Sequence, residues 1–449
     1  MREFSGLLTD LYELTMAAGY LQTRFEARAS FELFVRHLPP RRSYLVAAGL
    51  EQAVEFLEHV HFTSEEIAFL ERHPVFRHVR REFFDYLAKF RFTGDAWAMP
   101  EGTLVFSGEP ILRVTAPIIE AQIMETYLLA AIGYQTSVAS KTARVVTGAA
   151  GRQVVEFGAR RGHGPQASLW ASRAATIGGC QGTSNVLAGQ IYGIETYGTQ
   201  AHSWIMAHED ESAAFRNFLG AFPEHAVLLL DTYSVRGAIA KILALPARPA
   251  GVRLDSGDLG RESRWVRREL DHAGWKDVKI FASGDLDEFR IARLLRRGAA
   301  IDAFGVGSAL VVPGDASPLS LIYKLVEIER GGRVRGAAKF SESKATYPGR
   351  KQVFRLRDRG GKFKGDTIAL AGESADGEPL LVQVMREGQR CVAAEPVPQL
   401  RERCLAGLKQ LPARLRDLHR GANYRVSYSA GLRRLLRTVR GRAGDGAVK

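Results

Sequence analysis

Val154-Val155-Glu156-Phe157, Ala226-Val227-Leu228-Leu229-Leu230, Gly251-Val252-Arg253-Leu254, Val278-Lys279-Ile280-Phe281 and Ile301-Asp302-Ala303-Phe304 are short β-branched or apolar runs that alternate with amphipathic stretches between about Gln153 and Val312. Such βα repetition predicts a parallel sheet, because parallel neighbours need a crossover long enough to hold a helix. The residues that close these runs are polar: Asp231, Asp255, Ser283-Gly284-Asp285 and Gly305-Val306-Gly307-Ser308. In a barrel the carboxyl ends of the strands converge on one face, where active sites form. An open doubly wound sheet also gathers its strand ends along one edge, so the repetition alone leaves both closures open.

Outward from this centre the pattern changes. Residues 6 to 21 and 49 to 90 read as helices, with Leu7, Leu11, Leu14 and Ala18 on one stripe and Ala53, Val54, Leu57 and Val60 on another. Leu104-Val105-Phe106 and Ile111-Leu112-Arg113-Val114 read as short strands around Ser107-Gly108-Glu109-Pro110, and a long helix is expected from Ile118 to about Val146. Beyond Leu319, Ser320 to Val326 and Gln352 to Leu356 alternate in polarity and are separated by Gly-Gly turns, the signature of antiparallel strands. The expected divisions are an N-terminal α+β part over 1–115, a catalytic α/β part over 116–319, and a return segment with basic helices over 320–449.

Bulk properties narrow the function classes. With 449 residues, 46% hydrophobic and 25% charged, the chain has the composition of a globular protein of two or three domains. It has no apolar run of membrane-spanning length and no secretory h-region after Met1-Arg2-Glu3-Phe4, so no membrane partner is expected and the cytoplasm is the expected location. Cys180, Cys391 and Cys404 form no C-x-x-C pair, which argues against a disulfide framework and a zinc site; no residue is assigned as a metal ligand. Of the net charge of +13, much belongs to residues 413–449, which hold ten Lys or Arg against two Asp. In Arg433-Arg434-Leu435-Leu436-Arg437-Thr438-Val439-Arg440 the arginines recur at helical spacing, which reads as a solvated helix face rather than a nucleic-acid contact, with an RNA or acidic surface as the alternative.

The strand-end residues have chemistry of their own. The glycines of Phe304-Gly305-Val306-Gly307-Ser308 would let backbone amides approach a phosphate, with the Ser308 hydroxyl as a further donor. Leu310 stands where a dinucleotide fingerprint needs its third glycine, and no Walker A sequence occurs, so a plain tight turn is the competing reading. Ser283-Gly284-Asp285 on the preceding strand end would form a second wall. Arg253 and Asp255 lie two apart on a strand and therefore point to one face, either as site residues or as a structural ion pair. Asp231 is either a polar contact in the same site or a helix N-cap.

Three further motifs, Glu156-Phe157-Gly158-Ala159-Arg160-Arg161, Gly182-Thr183-Ser184-Asn185 and Gly198-Thr199-Gln200-Ala201-His202-Ser203, resemble those of nicotinate phosphoribosyltransferases, as does Lys339-Phe340-Ser341 to Tyr347-Pro348-Gly349-Arg350-Lys351-Gln352-Val353. The resemblance covers most of residues 6 to 356 and lacks the C-terminal Cys cluster of some members. It implies an irregular α/β barrel plus a second α+β domain built from the N- and C-terminal segments. It also implies transfer of a phosphoribosyl group from 5-phosphoribosyl-1-diphosphate (PRPP) to nicotinate, driven by ATP, with Mg²⁺ accompanying PRPP and pyrophosphate. His202, which on base rates alone is more often structural, would be the phosphorylated residue, and Asp255 would lie at the ribose. Arg253 would meet the nicotinate carboxylate, and Phe157 and Tyr12 would stack on the pyridine ring, Tyr12 from a neighbouring subunit of a homodimer. Thr199 and Ser203 would be hydroxyl neighbours of the ring or phosphate. Arg160, with Arg161 as a companion, would face pyrophosphate, while Asp231, Gly284, Asp285, Gly305, Gly307 and Ser308 would hold PRPP or its phosphate. The related nicotinamide enzymes have an acidic residue where Ser184 stands; a hydroxyl that can donate favours nicotinate, by at least about tenfold or ~1.4 kcal/mol. Nicotinamide or quinolinate phosphoribosyltransferases, and a non-catalytic nucleotide- or RNA-binding protein on the same scaffold, are the alternatives.

Overall fold

The computed structural model describes residues 4–315, 318–340 and 346–445, with side chains up to residue 442; Ser341 of the return motif, residues 1–3 of the opening and residues 446–449 of the basic tail lie outside it. The chain divides into two compact units, one of residues 1–137, 318–395 and 406–449, the other of residues 138–317 and 396–405.

In the second unit six parallel strands are ordered Gly182–Thr183, Gln153–Glu156, Ala303–Val306, Lys279–Ala282, Gly251–Leu254, Val227–Leu229. The last strand in sequence, Ala303–Val306, pairs with the first, from Ala303 on Gln153 to Val306 on Glu156. That return to the first strand is the order of a ring, and it separates the barrel from an open doubly wound sheet. The ladder has one seam, between Thr183, which itself bridges Thr196, and Val227–Leu229. The helices His202–Met206 and Glu211–Ala221 come from the chain across that seam, which makes the barrel irregular. The crossover helices have the expected stripes: Leu259–His272 buries Leu259, Val266 and Leu270, and is capped by Asp258 through the Arg261 amide.

The first unit joins both chain ends in one antiparallel sheet. Arg28–Val35 lies between Leu321–Arg330 and Pro110–Pro117, followed outward by Arg333–Gly336 on one side and by Asp95–Ala98, Val382–Arg386 and Gln389–Arg390 on the other. The stretch expected to be helical from 49 to 90 is three helices, Leu50–His59, Ser64–Arg72 and Arg81–Ala88. Its breaks have local causes: Thr63 and Glu66 form a reciprocal capping box, and Pro74 opens a 3₁₀ turn. The long helix is also divided, into Ile118–Ile123 and Glu125–Gly148.

The basic end forms the helix Ala430–Asp445. Leu432 is buried and Leu435, Leu436 and Val439 are half-buried, while Arg433, Arg434, Arg437, Arg440 and Arg442 are exposed, the solvated face that the spacing suggested. All three cysteines are free. Among the described residues no helix is long and apolar enough to cross a membrane.

Candidate active site

The strand Gly251–Leu254 delivers Arg253 and Asp255 to one side, as an i, i+2 spacing requires. They do pair, with Arg253 Nη2 3.1 Å from Asp255 Oδ1. The pair is one link in a longer chain. Arg253 Nε donates to Ser283 Oγ at 3.1 Å, Nη1 donates to Thr199 Oγ1 and to the Gln200 carbonyl, the latter at 3.4 Å, and Ser283 Oγ donates to Asp255 Oδ1. A guanidinium has five N–H donors. Four of those on Arg253 are engaged, which leaves a single N–H on Nη2 for a ligand.

Asp255 Oδ2 lies 4.0 Å from His202 Nε2, and His202 Nδ1 lies 3.1 Å from Thr232 Oγ1. Burial works against ionisation of Asp255, but the Ser283 hydroxyl, the Arg253 guanidinium and His202 outweigh it and hold the carboxyl below its usual range. Asp231 does not cap the helix Val235–Leu243; Ser234 does, through the Gly237 amide. Asp231 Oδ2 instead accepts from the Asp255 amide at 3.0 Å and from Ser256 Oγ at 2.5 Å, fixing the strand end beneath Asp255.

The next two strand ends complete a cavity of about 490 Å³ lined by Phe157, Arg160, Arg161, Arg253, Asp255, Ser283, Gly284, Asp285, Asp287, Gly305, Gly307 and Ser308 among others. Gly284 has φ +88, and a Cβ there would lie 1.8 Å from the Asp255 carbonyl oxygen, so only glycine fits. Asp285 follows at φ +47, an uncommon conformation for a residue with a side chain, and Arg290 Nη1 secures the turn by donating to the Gly284 carbonyl at 2.9 Å. Gly305 also lines this cavity, and a Cβ there would meet the Phe157 ring at 2.4 Å, so the missing side chain makes room for that ring. Gly305→Ala is expected to destabilise the fold by about 1–3 kcal/mol through overpacking, read as a lower urea midpoint at unchanged slope.

Arg160 and Arg161 stand exposed on the turn Ala159–Arg161, and neither guanidinium is bonded among the described residues. Thr199, His202 and Asp231 adjoin the cavity through Arg253 and Asp255. Ser184 is placed by its backbone, whose amide donates to the Glu156 carbonyl at 2.8 Å, and Ser203 is exposed one residue into the helix His202–Met206. Tyr12 belongs to the first unit, on the helix Leu11–Gln22, and is 46% exposed. His208 is used locally, its Nδ1 2.7 Å from the Trp204 carbonyl. A larger cavity of about 740 Å³ lies in the first unit, beside Tyr20, Phe25, Arg80 and Tyr86, and none of the candidate residues lines it. Sequence reasoning passed over Thr232, which follows the singled-out Asp231, and gave Ser283 only the role of a wall, although its hydroxyl joins Arg253 to Asp255.

Models of the nicotinate phosphoribosyltransferase N-terminal domain, of the family itself and of its C-terminal domain match residues 7–133, 152–350 and 374–436. A nicotinate phosphoribosyltransferase of Mycobacterium tuberculosis is 46% identical over 432 residues, covering 94% of this chain and 91% of its own length. The chain belongs to the nicotinate phosphoribosyltransferase family. The Bacillus subtilis member is 42% identical over 388 residues, covering 84% of this chain and 78% of its own. The crystal structure of human nicotinic acid phosphoribosyltransferase superposes with a TM-score of 0.84 at 29% identity, over 96% of this chain and 99% of that one. A nicotinate-nucleotide pyrophosphorylase from Pyrococcus furiosus superposes at 0.74 with 26% identity, over 90% and 95%.

Proposed function

We propose that this site transfers the phosphoribosyl group of PRPP to nicotinate, releasing nicotinate mononucleotide and pyrophosphate, and that ATP is hydrolysed in step with transfer. The observation that carries the reading is the Asp255 carboxylate, fixed by Ser283 and Arg253 at a strand end and 4.0 Å from His202. Transfer passes through a ribosyl centre of oxocarbenium character, and an ionised, preorganised carboxylate stabilises developing positive charge without reorganising. Asp255 therefore takes the ribose. Arg253 takes the nicotinate carboxylate with its one remaining N–H, a single charge-assisted bond rather than a bidentate fork. Phe157 and, from a partner subunit of a homodimer, Tyr12 stack on the pyridine, with Ser184, Thr199 and Ser203 as hydroxyl neighbours. Arg160 meets pyrophosphate, and Asp231 with the Gly284-Asp285 and Gly305, Gly307 and Ser308 turns holds PRPP.

The coupling to ATP runs through His202. If Thr232 Oγ1 accepts the Nδ1 proton, the Nε2 lone pair is free to attack the γ-phosphorus, forming N–P as the bond to the β-phosphate oxygen breaks and ADP leaves. Water later cleaves N–P and returns phosphate. Among the described residues no cluster of three or more His, Cys, Asp or Glu could form a cage for a metal ion. Mg²⁺ therefore fits this site on PRPP and pyrophosphate oxygens, where it would neutralise phosphate charge, with Asp255, Asp285 and Asp287 as the nearby carboxylates. The cytoplasm, where PRPP and ATP are made and used, is the location this reading assigns.

The test is pyrophosphate release by the purified protein with PRPP and Mg²⁺, offered nicotinate, nicotinamide or quinolinate, each with and without ATP. Release with nicotinate at least about tenfold above nicotinamide, raised by ATP, is expected. Preference for quinolinate or nicotinamide would favour the corresponding alternative phosphoribosyltransferase, and silence with all three bases would remove the enzymatic reading.

A further inference from the structure

Glu156 ends the strand Gln153–Glu156 and is fully buried, yet no Lys or Arg is bonded to it among the described residues. An unpaired buried carboxylate is costly, and here hydrogen bonds alone compensate it. Its Oε1 accepts from the Gly158 amide, and its Oε2 accepts from Ser172 Oγ at 3.0 Å and from Thr183 Oγ1 at 2.5 Å. Its own backbone carbonyl accepts from the Ser184 amide at 2.8 Å. Burial pushes the carboxyl up from its usual value, and the Thr183, Gly158 and Ser172 donors pull it part of the way back.

These bonds join two motifs that are distant in sequence. The Gly158 amide follows Phe157, whose own amide donates to the Val306 carbonyl and whose ring lines the cavity. Thr183 precedes Ser184, and its Oγ1 also accepts from the Asn185 amide at 3.0 Å. One side chain thus sets the turn behind the Phe157 ring and the strand end that presents Ser184. Neither a serine nor an apolar residue in place of Glu156 would reach all three donors.

We infer that Glu156 is a positioning residue for nicotinate, holding the Phe157 stacking face and the Ser184 hydroxyl in a single register. The inference rests on the nicotinate reading of those two residues. It predicts an asymmetry in Glu156→Gln. The Gly158 amide can only donate, so the glutamine oxygen must turn to it and the amide NH₂ must face Ser172 Oγ and Thr183 Oγ1; Ser172 keeps the Ser168 carbonyl as an acceptor, whereas the Thr183 hydroxyl loses the acceptor of its proton. The Phe157 side stays tied and the Ser184 side loosens.

The experiment is steady-state kinetics of the full-length protein and of Glu156→Gln, Thr183→Val and Thr183→Ser, varying nicotinate and PRPP separately with nicotinamide as a competing base. Glu156→Gln and Thr183→Val are expected to raise KM for nicotinate about tenfold and to lower nicotinate-over-nicotinamide selectivity by a similar factor, with KM for PRPP and kcat within about twofold. Thr183→Ser, which keeps the hydroxyl, should restore the parent values. Unchanged KM and selectivity in folded Glu156→Gln would overturn the inference, as would an equal loss against both substrates, which marks a general structural role. Should Glu156→Gln fail to fold, the Thr183→Val and Thr183→Ser pair decides alone. If the parent protein does not use nicotinate, the failure belongs to the function proposed above and not to Glu156.

Discussion

His202→Ala is expected to lose all stimulation by ATP while retaining measurable ATP-independent transfer. The reason is a division of labour in the geometry. The groups that would meet the reacting ribose and base, Asp255, Arg253 and Ser283, are bonded to one another and not through His202, which approaches them only at 4.0 Å. Removing the imidazole takes away the only nucleophile proposed for the γ-phosphate and leaves that cluster standing. The measurement is pyrophosphate release with and without ATP, alongside capture of label from γ-labelled ATP on the protein. Parent protein should show both ATP stimulation and an acid-labile phosphoenzyme, and the variant neither. Full ATP-dependent turnover in the variant would sink the assignment of the phosphohistidine to His202.

The sequence carried the βα alternation and the polar strand ends because both are local: short apolar or β-branched runs, then Asp, Ser or Gly at the point where a strand gives way to a loop. The choice between ring and open sheet was not local. It depends on Ala303–Val306 returning to Gln153–Glu156, and nothing in either run specifies that partner. The strand Arg28–Val35 was missed for a related reason. Its polar and apolar residues alternate through Leu33 as in a half-buried strand, yet the polar Ser30 and Glu32 are both buried, and the Glu32 carboxylate is held in the core by the amide and, at 2.7 Å, the Nζ of Lys351, 319 residues away.

The candidate site divides along the same line. Arg253 and Asp255 were legible because a strand puts i and i+2 on one face, and a structural ion pair was the competing reading; the structure contains the pair, embedded in a larger polar chain. Residues that act between strands were harder to see. Thr232 meets His202 across 30 positions, and Ser283 meets Asp255 across 28, so neither spacing has a periodic signature. Gly305 was legible as a required glycine, but its packing against the ring of Phe157 on another strand end was not.

Asp255→Asn should reduce kcat/KM about 10²–10³-fold with ATP and without it, a loss of ~3–4 kcal/mol of transition-state stabilisation. The substitution keeps shape and removes charge. It also makes one terminal atom a donor: with the amide oxygen at the Oδ1 position, Ser283 and Arg253 both keep their acceptor, and the NH₂ replaces Oδ2, the oxygen that faces His202. The effect is distinct from that of His202→Ala: the histidine variant loses the response to ATP, whereas the Asp255 variant loses transfer under both conditions. The carboxyl also leaves a mark on stability. Because its folded-state pKa lies below the unfolded value, its contribution is present at neutral pH and is lost as pH falls through the folded value. Asp255→Asn should therefore flatten the acid limb of the stability curve below about pH 4, and an acid limb of activity at higher pH must come from another group. If kcat/KM of Asp255→Asn equals that of the parent, the carboxylate is a structural partner of Arg253 and the ribose must be held elsewhere. The double variant separates coupling from coincidence: two groups 4.0 Å apart on one reacting complex should show non-additive losses, whereas a purely structural Asp255 would give losses that sum.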